Sequence, residues 1–178
     1  MSDVSESPLL YAGLYEALDI TGQHLGNIQL IDWKAGYLEI AAQQGFTQEF
    51  LDCFHRVTIR HGCACGRALF RRETVVLNDV TTDQRFLPYR DVAARAGFRA
   101  VQSTPLLTNS GALVGVLSTH GEHNPTEQQL SQIRTLATRT AEELVRRRAQ
   151  KRLTASHLFW QARLTGWPAP GFVDTHLS

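Results

Sequence analysis

Ala100-Val101-Gln102-Ser103-Thr104-Pro105-Leu106-Leu107 is followed by the turn residues Asn109-Ser110-Gly111 and then by Leu113-Val114-Gly115-Val116-Leu117-Ser118-Thr119. Two apolar runs around a polar, glycine-containing turn predict a β-hairpin. A hairpin makes the sheet antiparallel. Alternation puts Gln102 and Thr104 on one face of their strand, and Ser118 and His120 on one face of the returning strand. Buried polar side chains are costly unless hydrogen-bonded. The row Gln102, Ser103, Thr104, Ser118 and His120 therefore reads either as a solvated face or as a polar patch lining a ligand pocket.

Upstream, Asn27–Asp32 alternates polar and apolar, as a half-buried strand does. With the turn Lys34-Ala35-Gly36 and the run Tyr37–Gln43 it predicts a second hairpin. Leu9, Leu10, Leu14, Leu18 and Leu25 recur at helical spacings, predicting an amphipathic helix from Pro8 to about Leu25 that frays near Thr21-Gly22. Between the hairpins the sequence predicts a loop and short helix over Gly45–Phe54 and an extended piece, Val57–Ile59. A helix opened by Gly62 then runs to about Arg71. Thr74–Leu77 reads as a buried strand, Asp79–Tyr89 as a polar connection, and Tyr89–Ala96 as a helix capped by Gly97. Downstream, Asn124 is the expected cap of a long helix, with Pro125 at its first position and Glu127 in its first turn. Leu130, Ile133, Leu136, Ala137, Ala141, Leu144 and Val145 form its apolar stripe. Arg146–Arg148, Lys151 and Arg152 close it with cations, which suit a helix C-terminus.

The order helix, hairpin, small helices, strand, helix, hairpin, long helix predicts an α/β (α+β) domain. A central antiparallel sheet of five or six strands carries the N- and C-terminal helices on one face and short helices and loops on the other. A disordered start (1–7), a domain (8–152) and a tail (153–178) containing Trp160, Trp167, Pro168 and Pro170 complete the expected organisation.

Composition narrows the function. The 178 residues are 43% hydrophobic and 20% charged, ordinary globular usage, with a formal net charge of +1. Such a balance provides no global pull toward nucleic acid or an anionic membrane. The acidic N-terminus lacks the pattern of a signal peptide, and no apolar stretch approaches the ~18 residues of a membrane span. Three cysteines are an odd number, read as reduced thiols in the cytoplasm.

Six segments, in order, resemble a large bacterial group of GAF domains: Gly26–Leu30, Ala42–Phe46, Ala64-Cys65-Gly66-Arg67-Ala68, Asn78-Asp79-Val80, Ala100–Leu106 and Gly115–His120. The resemblance spans roughly Leu10 to Arg148. It implies a six-stranded antiparallel sheet with a small-molecule pocket on one face. It also implies a regulatory role of the kind such domains play in sensor histidine kinases and related signalling proteins. No kinase, cyclase or DNA-binding segment follows Arg152, so a signal is expected to leave through a protein partner, an oligomer or the rest of a longer chain. The Asn-Lys, Phe, Asp-Glu pattern of cyclic-nucleotide-binding members is not found, so cyclic GMP is not expected. No Cys-His pair marks a bilin attachment site, so no bilin is expected. The GAF-like methionine sulfoxide reductases use cysteines on separate pocket elements, whereas all three here lie between Cys53 and Cys65, so an enzyme is not expected.

Three groups of residues are candidates for chemistry. Cys53-Phe54-His55-Arg56-Val57-Thr58-Ile59-Arg60-His61-Gly62-Cys63-Ala64-Cys65 holds three Cys and two His in thirteen positions. It reads as packing cysteines, as a redox pair with Cys63 as exposed attacking thiol and Cys53 or Cys65 as resolver, or as a metal site. A Cys in the first turn of a helix faces unpaired N–H groups that lower its pKa. In the pocket-crossing connection, Asp79, Phe86 and Tyr89 are candidate ligand contacts. With Cys65, Gln102, Thr104, Ser118 and His120 they complete the expected binding set for an unidentified small molecule. The final helix doubles as a candidate homodimer seam. Three functions follow from these readings: a small-ligand sensor, a thiol redox sensor using Cys53, Cys63 and Cys65, and a ligand-free interaction module.

Overall fold

Strands β1 (Leu25–Asp32) and β2 (Tyr37–Gln44) form the first predicted hairpin, β3 (Arg56–Val57) and β4 (Val75–Leu77) are short, and β5 (Ala100–Leu107) and β6 (Leu113–Gly121) form the second. A computed structural model describes residues 6–165; what was expected of 1–5 and of Trp167, Pro168 and Pro170 lies outside them. The six strands make one sheet in the order β3-β2-β1-β6-β5-β4. Every neighbouring pair is antiparallel.

The helices are α1 (Ser7–Thr21), α2 (Gln48–Phe54), α3 (Ala64–Arg71), α4 (Arg90–Ala96) and α5 (Glu127–Thr165), with a 3₁₀ helix at Gln84–Tyr89. α1 packs on β1, β2 and β6, while α3 packs on β4, β5 and β6. Ile28 and Leu30 of β1 are buried on the face toward α1. The opposite face carries a second core of Phe46, Phe50, Phe54, Phe86, Phe98, Val101 and Val116. The central strands are consequently buried on both sides, and β1 is not the half-buried strand that its alternation predicts.

Several boundaries differ from the sequence reading for identifiable reasons. α1 stops at Thr21 because Gly22 turns left-handed and its N–H bonds back to the Leu18 carbonyl; Leu25 belongs to β1. β3 ends at Val57, leaving Ile59 exposed. α3 starts at Ala64 with Cys63 as cap, two residues beyond Gly62. The connection after Asp79 is not wholly polar: its 3₁₀ helix buries Phe86, and the Asp83 carboxylate accepts from the N–H groups of Arg85 and Phe86. Asn124 does not cap α5. Its amide donates to the Leu77 carbonyl at 3.1 Å and to Asn78 Oδ1 at 2.8 Å. Thr126 takes that place, since its hydroxyl accepts from Gln129 N–H while Gln129 Oε1 accepts from Thr126 N–H, a capping box.

The chain divides into two units, one ending at Glu142 and the other beginning at Glu143. α5 continues past Arg152 to Thr165, so Arg146–Arg152 lies within the helix and not at its end. Glu143 accepts from both Arg146 and Arg147 there. Beyond the basic run Leu153, Leu158, Phe159 and Trp160 are exposed.

Candidate functional site

Asn27 pairs with Ser118, Ser118 pairs with Ser103, and Leu25 pairs with His120 across the central strands. Directly paired residues share a sheet face. Asn27 and Gln29 of β1, Ser118 and His120 of β6, and Val101 and Ser103 of β5 therefore point the same way, away from α1. Above them stand Phe50 and Phe54 of α2, Cys63, Ala64 and Cys65 at the start of α3, Phe86 of the 3₁₀ helix, and Phe98. Polar floor and aromatic roof enclose a cavity of about 10 Å³, room for one water.

Three floor atoms are buried without a hydrogen-bond partner: Asn27 Oδ1, Gln29 Oε1 and His120 Nδ1. The Gln29 amide is oriented by its other end, since Nε2 donates to the Phe54 carbonyl at 3.0 Å. His120 is walled by rings, with centroids of Phe98 at 4.7 Å, Phe46 at 5.0 Å and Phe50 at 5.7 Å, all edge-on. Burial with no compensating charge pushes its pKa down to about 3, so the imidazole is neutral. Ser103 and Ser118 satisfy each other at 2.7 Å. The floor thus presents two amide oxygens in want of donors and an unpartnered ring nitrogen.

Of the predicted contacts, Cys65, Phe86, Ser118 and His120 meet at this cavity. Gln102 and Thr104 do not. Gln102 pairs with Thr119, so both it and Thr104 lie on the other sheet face. There the Gln102 amide donates to Thr119 Oγ1 at 3.2 Å, and the Thr104 hydroxyl donates to Gln102 Oε1 at 2.9 Å. Joining them with Ser118 and His120 in one patch assumed a register one residue out of step. Asp79 is also elsewhere. Its Oδ1 accepts from the Thr81 N–H and hydroxyl, and Arg99 binds its other oxygen, which together hold its pKa at about 2. Tyr89 is half-buried with its ring 5.2 Å from Phe54 and 5.5 Å from Phe86, and it lines an outer cleft instead. Burial raises its phenol to about 12.

Sequence reasoning missed Asn27 and Gln29, the two floor amides. Their signal was the same polar alternation that was read as solvent-facing.

The cysteines exchange roles. Cys63 is buried and Cys53 is exposed, the reverse of the expected attacking arrangement. The Cys63 and Cys65 sulfurs are 3.4 Å apart. A hydrogen bond from Cys65, followed by backbone N–H groups at the start of α3, lowers the Cys63 pKa; the same pairing and burial raise that of Cys65. Among the described residues no three His, Cys, Asp or Glu side chains are placed to hold a metal ion. No helix among them is long and apolar enough to cross a membrane.

Comparison with known proteins gives a consistent picture. The family model described as GAF domain matches residues 5–145. No curated protein matches the chain in sequence. Among solved structures, the GAF domain of a phosphoenolpyruvate-protein phosphotransferase from Coxiella burnetii superposes with a TM-score of 0.69 at 17% identity, over 84% of this chain and 88% of that one. The blue-light-absorbing form of the Thermosynechococcus elongatus PixJ GAF domain gives 0.65 at 14% identity, over 88% and 96%. A free methionine-R-sulfoxide reductase from Neisseria meningitidis, solved with its substrate, gives 0.60 at 20% identity, over 79% and 80%.

Proposed function

The chain belongs to the GAF domain family, sensory and regulatory domains of signalling proteins, and from that premise we propose that its inner cavity receives a small ligand that donates hydrogen bonds. The observation that carries this reading is the set of three buried, unpartnered polar atoms, the amide oxygens Asn27 Oδ1 and Gln29 Oε1 and the ring nitrogen His120 Nδ1, around one cavity. Each such group left unsatisfied costs ~1–3 kcal/mol. A ligand bearing N–H or O–H groups recovers that cost, while Phe50, Phe54 and Phe98 supply apolar contact.

Anything larger than water needs the roof to move. Gln29 Nε2 is bonded to the last residue of α2, so lifting α2 to admit a ligand breaks the bond at one end of the amide whose other end, Oε1, receives the ligand. Ligand-free and ligand-bound states would then differ in α2 position, giving the differential affinity that a switch requires. We place the output in a homodimer, or a complex with a signalling partner, formed through the terminal helices. The exposed Leu153, Leu158, Phe159 and Trp160 of α5 support this; a monomer in sedimentation equilibrium at all concentrations would remove the homodimer. Three free thiols support a reducing compartment, the cytoplasm.

The test is native mass spectrometry of the purified chain beside the variant Asn27→Leu/Gln29→Leu. A copurifying small molecule lost from the folded variant supports the reading. An unchanged clean mass, with a variant that is merely less stable, refutes it. One observation favours a second reading. The cavity is almost filled by aromatic side chains, as expected of a ligand-free interaction module.

A further inference from the structure

Outside the inner cavity lies a second, larger concavity. It has a volume of about 670 Å³, within the range of small-molecule sites. Three separate elements form its walls: the turn Ile59–Gly62, the outer side of α3 with Phe70 and Arg71, and the 3₁₀ helix with Arg85, Pro88 and Tyr89. No acidic side chain lines it. Arg60, Arg71 and Arg85 are exposed, and among the described residues none has a hydrogen-bonded or ionic side-chain partner. The chain as a whole carries a net charge of only +1, so this is a local concentration of cations. Beside them sit exposed apolar surfaces: Ile59 is 55% and Phe70 68% accessible.

The walls are fastened together. Arg67 donates from Nε to the Gly62 carbonyl at 2.7 Å and from Nη1 to Asp83 at 2.8 Å, with a second Asp83 contact through Nη2. One nearly buried guanidinium thus ties α3 to both other walls and is itself neutralised. Gly62 lets the 3₁₀ helix seat closely, since a Cβ there would collide with the Arg85 carbonyl. His61, which lines the cleft, is oriented by its Nδ1 accepting from the Thr58 N–H at 2.8 Å. The backbone of the walls is therefore in place before a ligand arrives, and the ordering that remains falls on the exposed arginine side chains.

We propose that this cleft is a binding site for a phosphate ester with a flat apolar body, of the class and size of a nucleoside diphosphate. Arginine forks match phosphate oxygens bidentately. Ile59, Phe70 and the ring of Tyr89 offer the apolar part a surface. The site is independent of the inner cavity, whose lining holds no Arg or Lys to meet phosphate.

The test uses the full chain titrated with adenosine 5′-diphosphate, and separately with adenosine, pyrophosphate and poly-L-glutamate. Calorimetry gives the affinities, and amide chemical shifts give the location. The expected result is ADP binding with shifts confined to Ile59–Gly62, Phe70–Arg71 and Arg85–Tyr89, and about tenfold weaker binding of each half molecule. Loss of two charged contacts in Arg60→Ala/Arg71→Ala should weaken ADP by about tenfold or more while leaving the amide spectrum elsewhere unchanged. Arg85→Ala, on a different wall, provides a second variant with the same expected direction. The proposal is overturned by an absence of binding, by shifts centred on Gln29 and His120, by full affinity in both variants, or by pyrophosphate binding as tightly as ADP. Occupation by poly-L-glutamate and not by ADP would also overturn it, and would assign the cleft to an acidic protein partner.

Discussion

Replacing His120 by Leu should flatten the acid dependence of stability between about pH 7 and about pH 5. The ring is buried, its Nδ1 has no partner, and three phenylalanine rings surround it. Its pKa falls from an ordinary 6.5 to about 3 in the folded chain. Below the unfolded value the unfolded state takes up a proton that the folded state refuses, so stability falls as pH falls. The slope is about 1.4 kcal/mol per pH unit and persists until the folded value is reached. Integrated from about pH 7 to about pH 5, the loss is ~2 kcal/mol. Asp79 and Glu143, held near 2, lose their contribution only at lower pH and do not intrude in this window. Urea denaturation of both proteins at several pH values measures the effect. The difference in unfolding free energy between wild type and His120→Leu should change by ~2 kcal/mol across the window. Parallel pH profiles would refute the reasoning. They would mean that the imidazole is protonated in place, held by ring faces or by water entering the cavity.

Gly66→Ala should destabilise the domain by ~1–3 kcal/mol, because its Cβ would stand 2.6 Å from the His61 carbonyl oxygen and 2.8 Å from that of Thr58; chemical denaturation reads this directly. Thr126→Ala removes one half of the capping box of α5 and should cost ~1 kcal/mol in the same assay. With Ellman's reagent, exposed Cys53 of the native protein should release one equivalent of the reagent's thiolate, slowed because partial burial raises its pKa, and Cys63 and Cys65 should react only on unfolding. Prompt reaction of all three would reopen the redox reading.

The hairpins were legible because their turns carry their own chemistry. Lys34-Ala35-Gly36 and Asn109-Ser110-Gly111 each place glycine where the backbone has positive φ, at Gly36 and Gly111. Antiparallel pairing follows from that. Which face a polar strand residue meets was not legible. Asn27 and Gln29 alternate with Ile28 and Leu30 just as they would if half the strand met water. Only the cover supplied by α2 and α3, distant in sequence, turns that face into an interior. The pairing of β5 with β6 was equally hidden, because a shift of one residue moves Gln102 and Thr104 to the other side. The cap of α5 was ambiguous for a local reason: Asn124 and Thr126 are both good caps, and the choice depends on Asn124 finding Leu77 and Asn78 across the fold.

The inner cavity carries an imbalance that bears on how the domain works. Its volume admits one water, and a water donates two hydrogen bonds. Two amide oxygens, Asn27 Oδ1 and Gln29 Oε1, and the ring nitrogen His120 Nδ1 face that space without a partner, and each one left so costs ~1–3 kcal/mol. The closed roof offsets this through the mutual packing of Phe46, Phe50 and Phe54, with Phe46 stacked on Phe50 at 3.6 Å. Lifting α2 would give up that packing together with the Gln29–Phe54 hydrogen bond. Replacing the floor amides with Leu would remove the imbalance and leave the roof packing without a counterweight, which is why that variant separates a sensor from a scaffold.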